Sequence, residues 1–359
     1  MSVAVEKARS ILEGAFRKDA SDIFIVGGHP LTYKINKEMV IAGEERLMPP
    51  DTEEILHGIY ELAGNRKMER FLDCGDDDFS FSLTGAARYR VSAYRQRGSM
   101  AAVIRVIAFE LPQPYAIGIT DQILNLANYT KGLVLVTGPA GCGKSTTLSC
   151  IIDHINETRN NHIITLEDPL EFMHAHKKSI VSQREVSSDS ESYLTALRAA
   201  LRQSPDVILL GEMRDYETIN TAITAAETGH LIFSTMHTMG AASTVDRVID
   251  VFPANQQRQI TIQLASVLQA IVSQQLVPGV NGQLTPAFEV MTMTPAIRNM
   301  IRENKIHQID GVVYSASTTT NSQQLSMDSS LLQLYHDGKI TKDTALSYAV
   351  NPDMLSRKI

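Results

Sequence analysis

The sequence has little cysteine and no apolar run long enough to cross a lipid bilayer. Its 359 residues contain three cysteines, Cys74, Cys142 and Cys150, which excludes a four-cysteine zinc site within the chain. The odd number and wide spacing are typical of reduced thiols in a cytosolic protein. No apolar stretch approaches the roughly 18–20 residues that a membrane-spanning helix needs, and the first residues lack the apolar core of a signal peptide. We therefore expect a cytoplasmic protein without direct membrane insertion.

Positive charge is also scarce. Lysine and arginine total 33 against 40 aspartates and glutamates, a formal net charge of −7. This balance argues against a protein whose main task is to coat nucleic acid or an anionic membrane, although it permits local basic patches. A composition of 43% hydrophobic and 20% charged residues is ordinary for a globular protein. A chain of this length can form two domains with full cores.

The first 110 residues have the pattern of a small α+β domain. Residues 2–18 and Thr52–Ala63 have helical periodicity. Short β-like runs surround them, namely Asp22–Val26, Leu31–Ile35, Phe79–Leu83, Tyr89–Arg95 and Met100–Ile107. The segment Leu111–Pro114 contains two prolines and breaks regular structure, so we place a linker over residues 111–119.

From about residue 120 the pattern changes to alternating strands and helices. The predicted strands are Leu133–Thr137, His162–Leu166, Val207–Leu210 and Leu231–Thr235. Such alternation predicts a parallel sheet that is covered by helices on both faces. We predict a single domain over residues 120–359, in which the residues beyond 254 are mostly helical.

The most specific motif is a complete phosphate-binding loop of the form G-x-x-x-x-G-K-[ST]. It reads Gly138, Pro139, Ala140, Gly141, Cys142, Gly143, Lys144 and Ser145, followed by Thr146. The loop follows an apolar run and opens a segment with helical character, which is the context that the motif requires. Lys144 would reach the phosphates, Ser145 would bind Mg²⁺, and the helix N-terminus would add partial positive charge. The motif predicts binding of ATP or GTP.

Two acidic segments, at 165–172 and 207–215, follow predicted strands of the sheet. Ligands of open α/β sheets bind at this edge, so carboxylates there could orient a water molecule. Glu212 and Glu167 are the candidates, and the residues leave open which of them is the catalytic base. His237 follows another strand and could donate to the terminal phosphate. The alternative is that these side chains cap strand ends or are surface charges.

Residues 88–105 read as a β-hairpin with a two-residue turn at 98–99. This register pairs Arg90 with Ile107 and makes Arg90 and Arg105 diagonal neighbours on one face, roughly 7–8 Å apart. Two guanidinium groups on a rigid face could bind a triphosphate. The alternative is an edge strand that charge keeps soluble.

Taken together, these segments resemble the PilT family, the retraction ATPases of type IV pili within the secretion-ATPase superfamily. The resemblance covers nearly the whole chain, and it includes the loop at 138–145, the acidic box Glu167–Glu171, residues 209–215 and the histidine box Thr228–Thr238. Ala296–Glu303 is similar to a C-terminal motif typical of retraction ATPases. This segment reads as an amphipathic helix with Ala296, Ile297, Met300 and Ile301 on its apolar stripe, and we hypothesise that it couples hydrolysis to retraction.

The resemblance implies an α/β protein with a RecA-like P-loop ATPase core, residues 120–359, and a smaller PAS-like α+β domain, residues 1–110. It implies a homohexamer that hydrolyses ATP with Mg²⁺ and moves its domains about the linker. Glu212, Glu167, His237, Arg90 and Arg105 would act on the nucleotide. The motion would drive pilus retraction and twitching motility through an inner-membrane platform protein at the pilus base. The protein would associate peripherally with the inner face of the cell membrane and bind no nucleic acid stably.

Three other interpretations remain open at this point. One is a secretion or pilus-extension ATPase of the same superfamily, another is an ATP-dependent regulatory module with negligible turnover, and the third is a nucleic-acid translocase. The chain departs modestly from the family pattern, with Ala140 and Cys142 where threonine and serine are common, Phe24 where histidine is frequent, and Met300 where leucine is usual. None of these departures removes a catalytic group.

Overall fold

The computed structural model describes residues 2–35, 38–107, 111–186, 188–319 and 322–359. The chain divides into two compact units, Met1–Glu110 and Leu111–Ile359. Among the described residues, no helix combines the length and the apolar character that crossing a membrane requires.

The N-terminal unit is an α+β structure built on one antiparallel sheet. Its helices are α1 (Val3–Arg17), α2 (Pro49–Leu62) and α3 (Glu69–Cys74), and its strands are β1 (Asp22–Ile25), β2 (Pro30–Ile35), β3 (Glu38–Arg46), β4 (Asp76–Ser82), β5 (Arg88–Gln96) and β6 (Ser99–Ile107). The strands lie in the order β3-β2-β1-β6-β5-β4. The apolar stripes of α1 and α2 pack against the sheet, where Leu12, Ile55, Ile59 and Tyr89 share one core. The predicted helices and strands of this half are confirmed, and α3 and the exposed edge strand β3 were not predicted.

The register predicted for the β5–β6 hairpin is wrong by two residues, because the turn lies one residue earlier than predicted. The turn lies at Arg97–Gly98, where φ is +50° and +79°, because a turn with two positive φ values favours glycine in its second position. As a result Arg90 lies directly opposite Arg105. A directly opposed pair is closer than the diagonal pair that was expected. Two positively charged side chains thus stand side by side on the face of the sheet away from the core.

The C-terminal unit contains a seven-stranded sheet. Its strands are β7 (Gly132–Thr137), β8 (His162–Glu167), β9 (Ile180–Glu185), β10 (Val207–Leu210), β11 (Leu231–Met236), β12 (Leu268–Pro278) and β13 (Leu284–Thr292). The helices are α4 (Asp121–Leu124), α5 (Lys144–Thr158), α6 (Tyr193–Ala200), α7 (Tyr216–Glu227), α8 (Ala241–Asp250), α9 (Ala254–Val267), α10 (Pro295–Arg302), α11 (Ile309–Ser317), α12 (Met327–His336), α13 (Lys342–Ser347) and α14 (Pro352–Ser356). The strand order is β13-β12-β7-β11-β10-β8-β9, and all neighbours are parallel except β12 and β13.

Both faces of this sheet are buried, as the sequence predicted. Leu133 and Leu135 of β7 join the core that α6 to α9 cover. Val134 and Val136 of the same strand join the opposite core, which includes the apolar side of α5. A strand that is covered on both sides needs apolar residues at every position, which is why β7, β10 and β11 were recognised as short apolar runs.

The prediction that residues beyond 254 are mostly helical missed two strands, β12 and β13. The middle of β12 is Ser273-Gln274-Gln275, and all three residues are buried. Polar residues of this kind obscure a buried strand in the sequence, because their burial depends on hydrogen-bond partners that come from distant segments.

The amphipathic helix predicted at Ala296–Glu303 is present as α10. Ile297 and Ile301 are fully buried in the main core, and Met300 packs partly against it. Ala296 is exposed, so its place on the apolar stripe was wrong. Arg298 anchors the helix, because its Nη1 donates to the carbonyl of Ala265 at 2.6 Å. Core packing therefore accounts for the isoleucines of this segment.

Candidate active site

The phosphate-binding loop spans the gap between β7, which ends at Thr137, and α5, which begins at Lys144. Gly138 has φ +142°, and a Cβ at this position would collide with the carbonyl oxygen of Gln274 and lie 2.8 Å from Cys142 Sγ. Only glycine combines this backbone conformation with so close an approach. Cys142 is buried, and burial raises the pKa of its thiol. A thiol held in its protonated form is a poor redox group, so Cys142 acts as a small filler in the loop.

Lys144 lies across its own loop. Its Nζ donates to the carbonyl oxygens of Gly138 at 2.8 Å and Pro139 at 2.9 Å. The residue is only 8% exposed. The N–H groups in the first turn of α5 have no helical acceptors, which makes this end of the helix a site for anions. Positive charge and free backbone donors therefore converge at the same place.

A cavity of about 260 Å³ lies at the carboxyl edge of the parallel strands. From the loop and α5 it is lined by Ala140, Gly141, Lys144 and Ser145, and from the ends of β8, β10 and β11 by Glu167, Glu212 and His237. The fold thus brings together residues that are up to 97 positions apart in the chain, from Ala140 to His237. The other loop residues predicted to bind nucleotide, Gly138, Pro139, Cys142, Gly143 and Thr146, form the backbone beside the cavity and do not line it.

The carboxylate of Glu212 contacts the side chains of Arg214 and His237. Its Oε1 accepts from Arg214 Nη2 at 2.7 Å, and its Oε2 lies 3.4 Å from His237 Nε2. The Glu212 side chain is 17% exposed, whereas that of His237 is 52% exposed. The carboxylate therefore faces the cavity in a defined orientation and keeps access to water.

Glu167 occupies a drier environment. The residue is 7% exposed, and its Oε1 has no hydrogen-bond partner among the described residues. Burial raises the pKa of this carboxyl group above its usual value. An unpaired buried oxygen is costly, and one that lines a cavity is suited to a cation or a hydrogen-bond donor of a ligand.

The acidic segment at 207–215 resembles a Walker B strand, but it has Gly211-Glu212 where Asp-Glu is usual. The packing around residue 211 explains the glycine. A Cβ at 211 would lie 2.6 Å from Tyr193 Oη and 3.2 Å from the carbonyl oxygen of Leu166. Tyr193 also lines the cavity, and burial raises the pKa of its phenol, so it remains protonated. Sequence reasoning missed Tyr193, because nothing in its local pattern distinguishes it from a helix-start residue.

Asp168 and Glu171, which belong to the acidic segment at 165–172, also line the cavity. Arg214 and Thr235 line it too, and these two were not singled out as site residues. The sequence could have indicated Arg214, because this residue lies two positions after Glu212 in the segment that follows β10 at the ligand-binding edge of the sheet. His230 does not line the cavity, and its Nδ1 bonds the carbonyl of Ala225 at 3.0 Å.

Arg90 and Arg105 lie in the N-terminal unit, on β5 and β6. The side chain of Arg105 is 68% exposed, and its Nε donates to Asp22 Oδ1 at 3.3 Å. Arg90 is half-buried beside it. The pair forms a positively charged feature of this unit, and among its described residues the carboxylate of Asp22 partly neutralises it.

Comparison with known proteins identifies the family of this chain. The model of the family described as "Type II/IV secretion system protein" matches residues 3–339. The chain is 40% identical over 346 residues to the type IV pilus retraction ATPase PilT of Pseudomonas aeruginosa, covering 96% of this chain and 98% of that protein. It is 45% identical over 305 residues to a twitching motility protein of Neisseria gonorrhoeae, covering 85% and 81%.

A solved structure of the pilus retraction motor PilT with bound ADP has the same fold, with a TM-score of 0.87 and 41% identity over 99% of both chains. The likeness therefore extends through both units of the chain. It accords with the loop, strands and carboxylates described above. The chain belongs to the type II/IV secretion system protein family and, within it, to the PilT family of pilus retraction ATPases.

Proposed function

We propose that this protein binds ATP in the cavity beside the loop at 138–145 and hydrolyses it to drive type IV pilus retraction. The observation that carries the proposal is the convergence of Lys144, Glu212 and His237 on one cavity at the carboxyl edge of the parallel strands. This edge is where open α/β sheets bind their ligands. The names of the two relatives and of the solved structure support retraction rather than secretion or pilus extension.

The triphosphate is bound by Lys144 and the start of α5. The ammonium group already lies within the loop, where two neutral carbonyl oxygens hold it. Phosphate oxygens carry full negative charge and are stronger acceptors for an ammonium than peptide carbonyls are. Lys144 would therefore exchange its carbonyl partners for the β- and γ-phosphates, while the N–H groups of α5 bind the remaining oxygens.

Glu212 orients the attacking water. Arg214 and His237 fix its two oxygens, and an ionised carboxylate retains further lone pairs that can accept from a water molecule. Glu167 is less suited to this step, because it is only 7% exposed and burial raises the pKa of its carboxyl group. Water attacks the γ-phosphorus, the bond to the β-phosphate oxygen breaks, and ADP and phosphate are the products. His237 donates to the oxygens on which charge develops.

The residues present also suit Mg²⁺. The hydroxyl of Ser145 and the carboxyl group of Glu167, whose Oε1 has no hydrogen-bond partner among the described residues, belong to residues that line the same cavity. Oxygen donors are what this ion prefers. When bound, Mg²⁺ would neutralise charge on the β- and γ-phosphates. The described residues contain no group of three or more histidine, cysteine, aspartate or glutamate side chains that could hold a metal. A Mg²⁺ site at Ser145 and Glu167 would therefore need the nucleotide to supply its other ligands.

Arg90 and Arg105 complete the proposal in the N-terminal unit, which we propose to be PAS-like. Two opposed guanidinium groups on one rigid face match the geometry of phosphate oxygens. In a homohexamer they would contact nucleotide and relay its hydrolysis as domain movement about the linker at 111–119. The motor would work in the cytoplasm at the inner face of the cell membrane, against a platform protein of the pilus base.

Phosphate release by the full-length protein tests the enzymatic part of this proposal. Lys144→Ala should abolish release, because it removes the charge that binds the phosphates. Lys131→Ala removes the same charge from an exposed position just before β7 and should leave release unchanged. Equal rates for all three proteins would disprove catalysis at this site. Retraction is tested in piliated cells whose sole retraction ATPase is this chain, where Lys144→Ala should leave pili extended.

A further inference from the structure

Gln274 links the phosphate-binding loop to β12. Its Nε2 donates to the carbonyl oxygen of Cys142 at 2.7 Å, and its Oε1 accepts from the hydroxyl of Thr147 at 2.7 Å. Gln274 is 3% exposed, and Thr147 is 1% exposed. One side chain therefore bonds the middle of the loop and the first turn of α5 at the same time, from a strand more than 120 residues away in the chain.

The chemistry of these partners fixes the orientation of the amide. A backbone carbonyl can only accept, so the amide nitrogen must face Cys142. The amide oxygen then faces Thr147, whose hydroxyl donates to it. The backbone of Gln274 also closes against the loop, because its carbonyl oxygen occupies the space that a Cβ at residue 138 would need. The contacts of Gln274 thus reach the first glycine of the loop, the middle of the loop and the first turn of α5.

We propose that Gln274 is a positioning residue for nucleotide binding. The inference rests on the proposed phosphate site and adds a residue that the loop motif does not contain. The N–H groups of the loop bind phosphate only when their peptide planes face inward, and the bond to the Cys142 carbonyl holds one of these planes. A loop that is already ordered binds its ligand without an ordering cost. Without the amide, the loop would populate other conformations and bind nucleotide more weakly.

The next residue provides a matched control. Gln275 has the same side chain on the same strand, is 9% exposed and donates from Nε2 to a backbone carbonyl, that of Tyr348, at 3.1 Å. Successive residues of a strand point to opposite faces, so Gln275 faces away from the phosphate-binding loop. Its removal costs one part-buried hydrogen bond, whereas removal of Gln274 costs two buried ones, and the Gln275 change does not affect the loop.

The test measures binding of ADP that carries a fluorescent N-methylanthraniloyl group, by anisotropy, together with the melting temperature. Gln274→Met preserves the volume and removes both hydrogen bonds. We expect its Kd to rise about tenfold, which corresponds to about 1.4 kcal/mol. The KM for ATP should rise in parallel while kcat changes less, because the substitution weakens the binding of the ground state and of the transition state equally. Gln275→Met should also lower the melting temperature, though by less because it loses one hydrogen bond and not two, and should leave the Kd unchanged.

A Kd for Gln274→Met within twofold of the wild type, or an equal rise in Gln275→Met, would overturn the proposal. If Gln274→Met does not fold, Thr147→Val and Thr147→Ser decide. The valine removes the hydroxyl donor and should raise the Kd, the serine should restore it, and equal Kd values would contradict the positioning role. Wild-type protein and Lys144→Ala are measured alongside, because failure of the wild type to bind would refute the phosphate site itself.

Discussion

The carboxylate of Glu212 and the imidazole of His237 are 3.4 Å apart, from Oε2 to Nε2, across the ends of β10 and β11. Sequence patterns indicated both residues separately, as a water-orienting group and a phosphate sensor. Their contact makes them one unit, so that a change in the partners of His237 alters the environment of Glu212. A γ-phosphate that bonds His237 would thereby affect Glu212, the residue proposed to orient the water.

Glu212→Gln should lower steady-state phosphate release by about 10²-fold or more, because it replaces the carboxylate proposed to accept from the attacking water by a neutral amide. If the two residues act as one unit, adding His237→Ala to the Glu212→Gln variant should lower phosphate release by a much smaller factor than His237→Ala does in the wild type. Phosphate release by the four proteins of this cycle gives the coupling. Fully additive losses would show that the two residues act independently.

Arg90→Ala and Arg105→Ala should each lower phosphate release by about tenfold or more, because each removes a guanidinium proposed to neutralise charge in the transition state. Arg90 is the cleaner test, since Arg105 also bonds Asp22. Arg95→Ala is the control on the same hairpin, where the guanidinium lies 6.0 Å from the ring centroid of Phe71. The same loss of activity in the control would assign all three effects to a damaged domain.

Gly211→Ala should lower the stability of the protein by roughly 1–3 kcal/mol, because the new Cβ overlaps Tyr193 Oη. Tyr193→Phe in the same chain removes that oxygen and should recover part of the loss. Gly311→Ala is the control, because a Cβ there meets no atom within 4 Å. Melting temperatures compare the variants. An unchanged melting temperature for Gly211→Ala would mean that the close packing of Tyr193 is not required.

The pH dependence of stability should contain a contribution from Glu289. This carboxyl accepts from the N–H of Ala241 at 2.8 Å. Burial raises its pKa to about 7 from an ordinary 4.5, and the nearby charges of Asp310 and Asp328 act in the same direction. Between these two pKa values the folded protein binds more protons than the unfolded chain. Stability therefore falls as pH rises through this window and remains lower above it.

Glu289→Gln stays neutral at every pH and keeps an oxygen that can accept from Ala241. Between pH 5 and pH 8 it should lose about 1–3 kcal/mol less stability than the wild type. Melting temperatures across this range provide the measurement. Glu191→Gln changes an exposed glutamate and should follow the wild type. If the melting temperature of Glu289→Gln depended on pH as that of the wild type does, the contribution assigned to Glu289 would be refuted.

The loop and its flanking elements could be predicted because their signals are local. The glycines and Lys144 occupy fixed offsets, and the strands buried on both faces appear as apolar runs. The role of Gln274 could not be predicted in this way. Its burial depends on a backbone carbonyl and a hydroxyl far away in the chain, and no neighbour in the sequence indicates them. Likewise, the position of the turn between β5 and β6 determines whether Arg90 lies opposite Arg105 or diagonal to it.

The most direct test of the account follows the fate of ATP bound to Glu212→Gln. The variant keeps the phosphate-binding loop and lacks the carboxylate proposed to orient water, so binding and cleavage should separate. We predict that it retains ATP with an affinity within a few-fold of the wild type and releases the nucleotide uncleaved. Cleavage of the bound ATP at the wild-type rate would contradict the account.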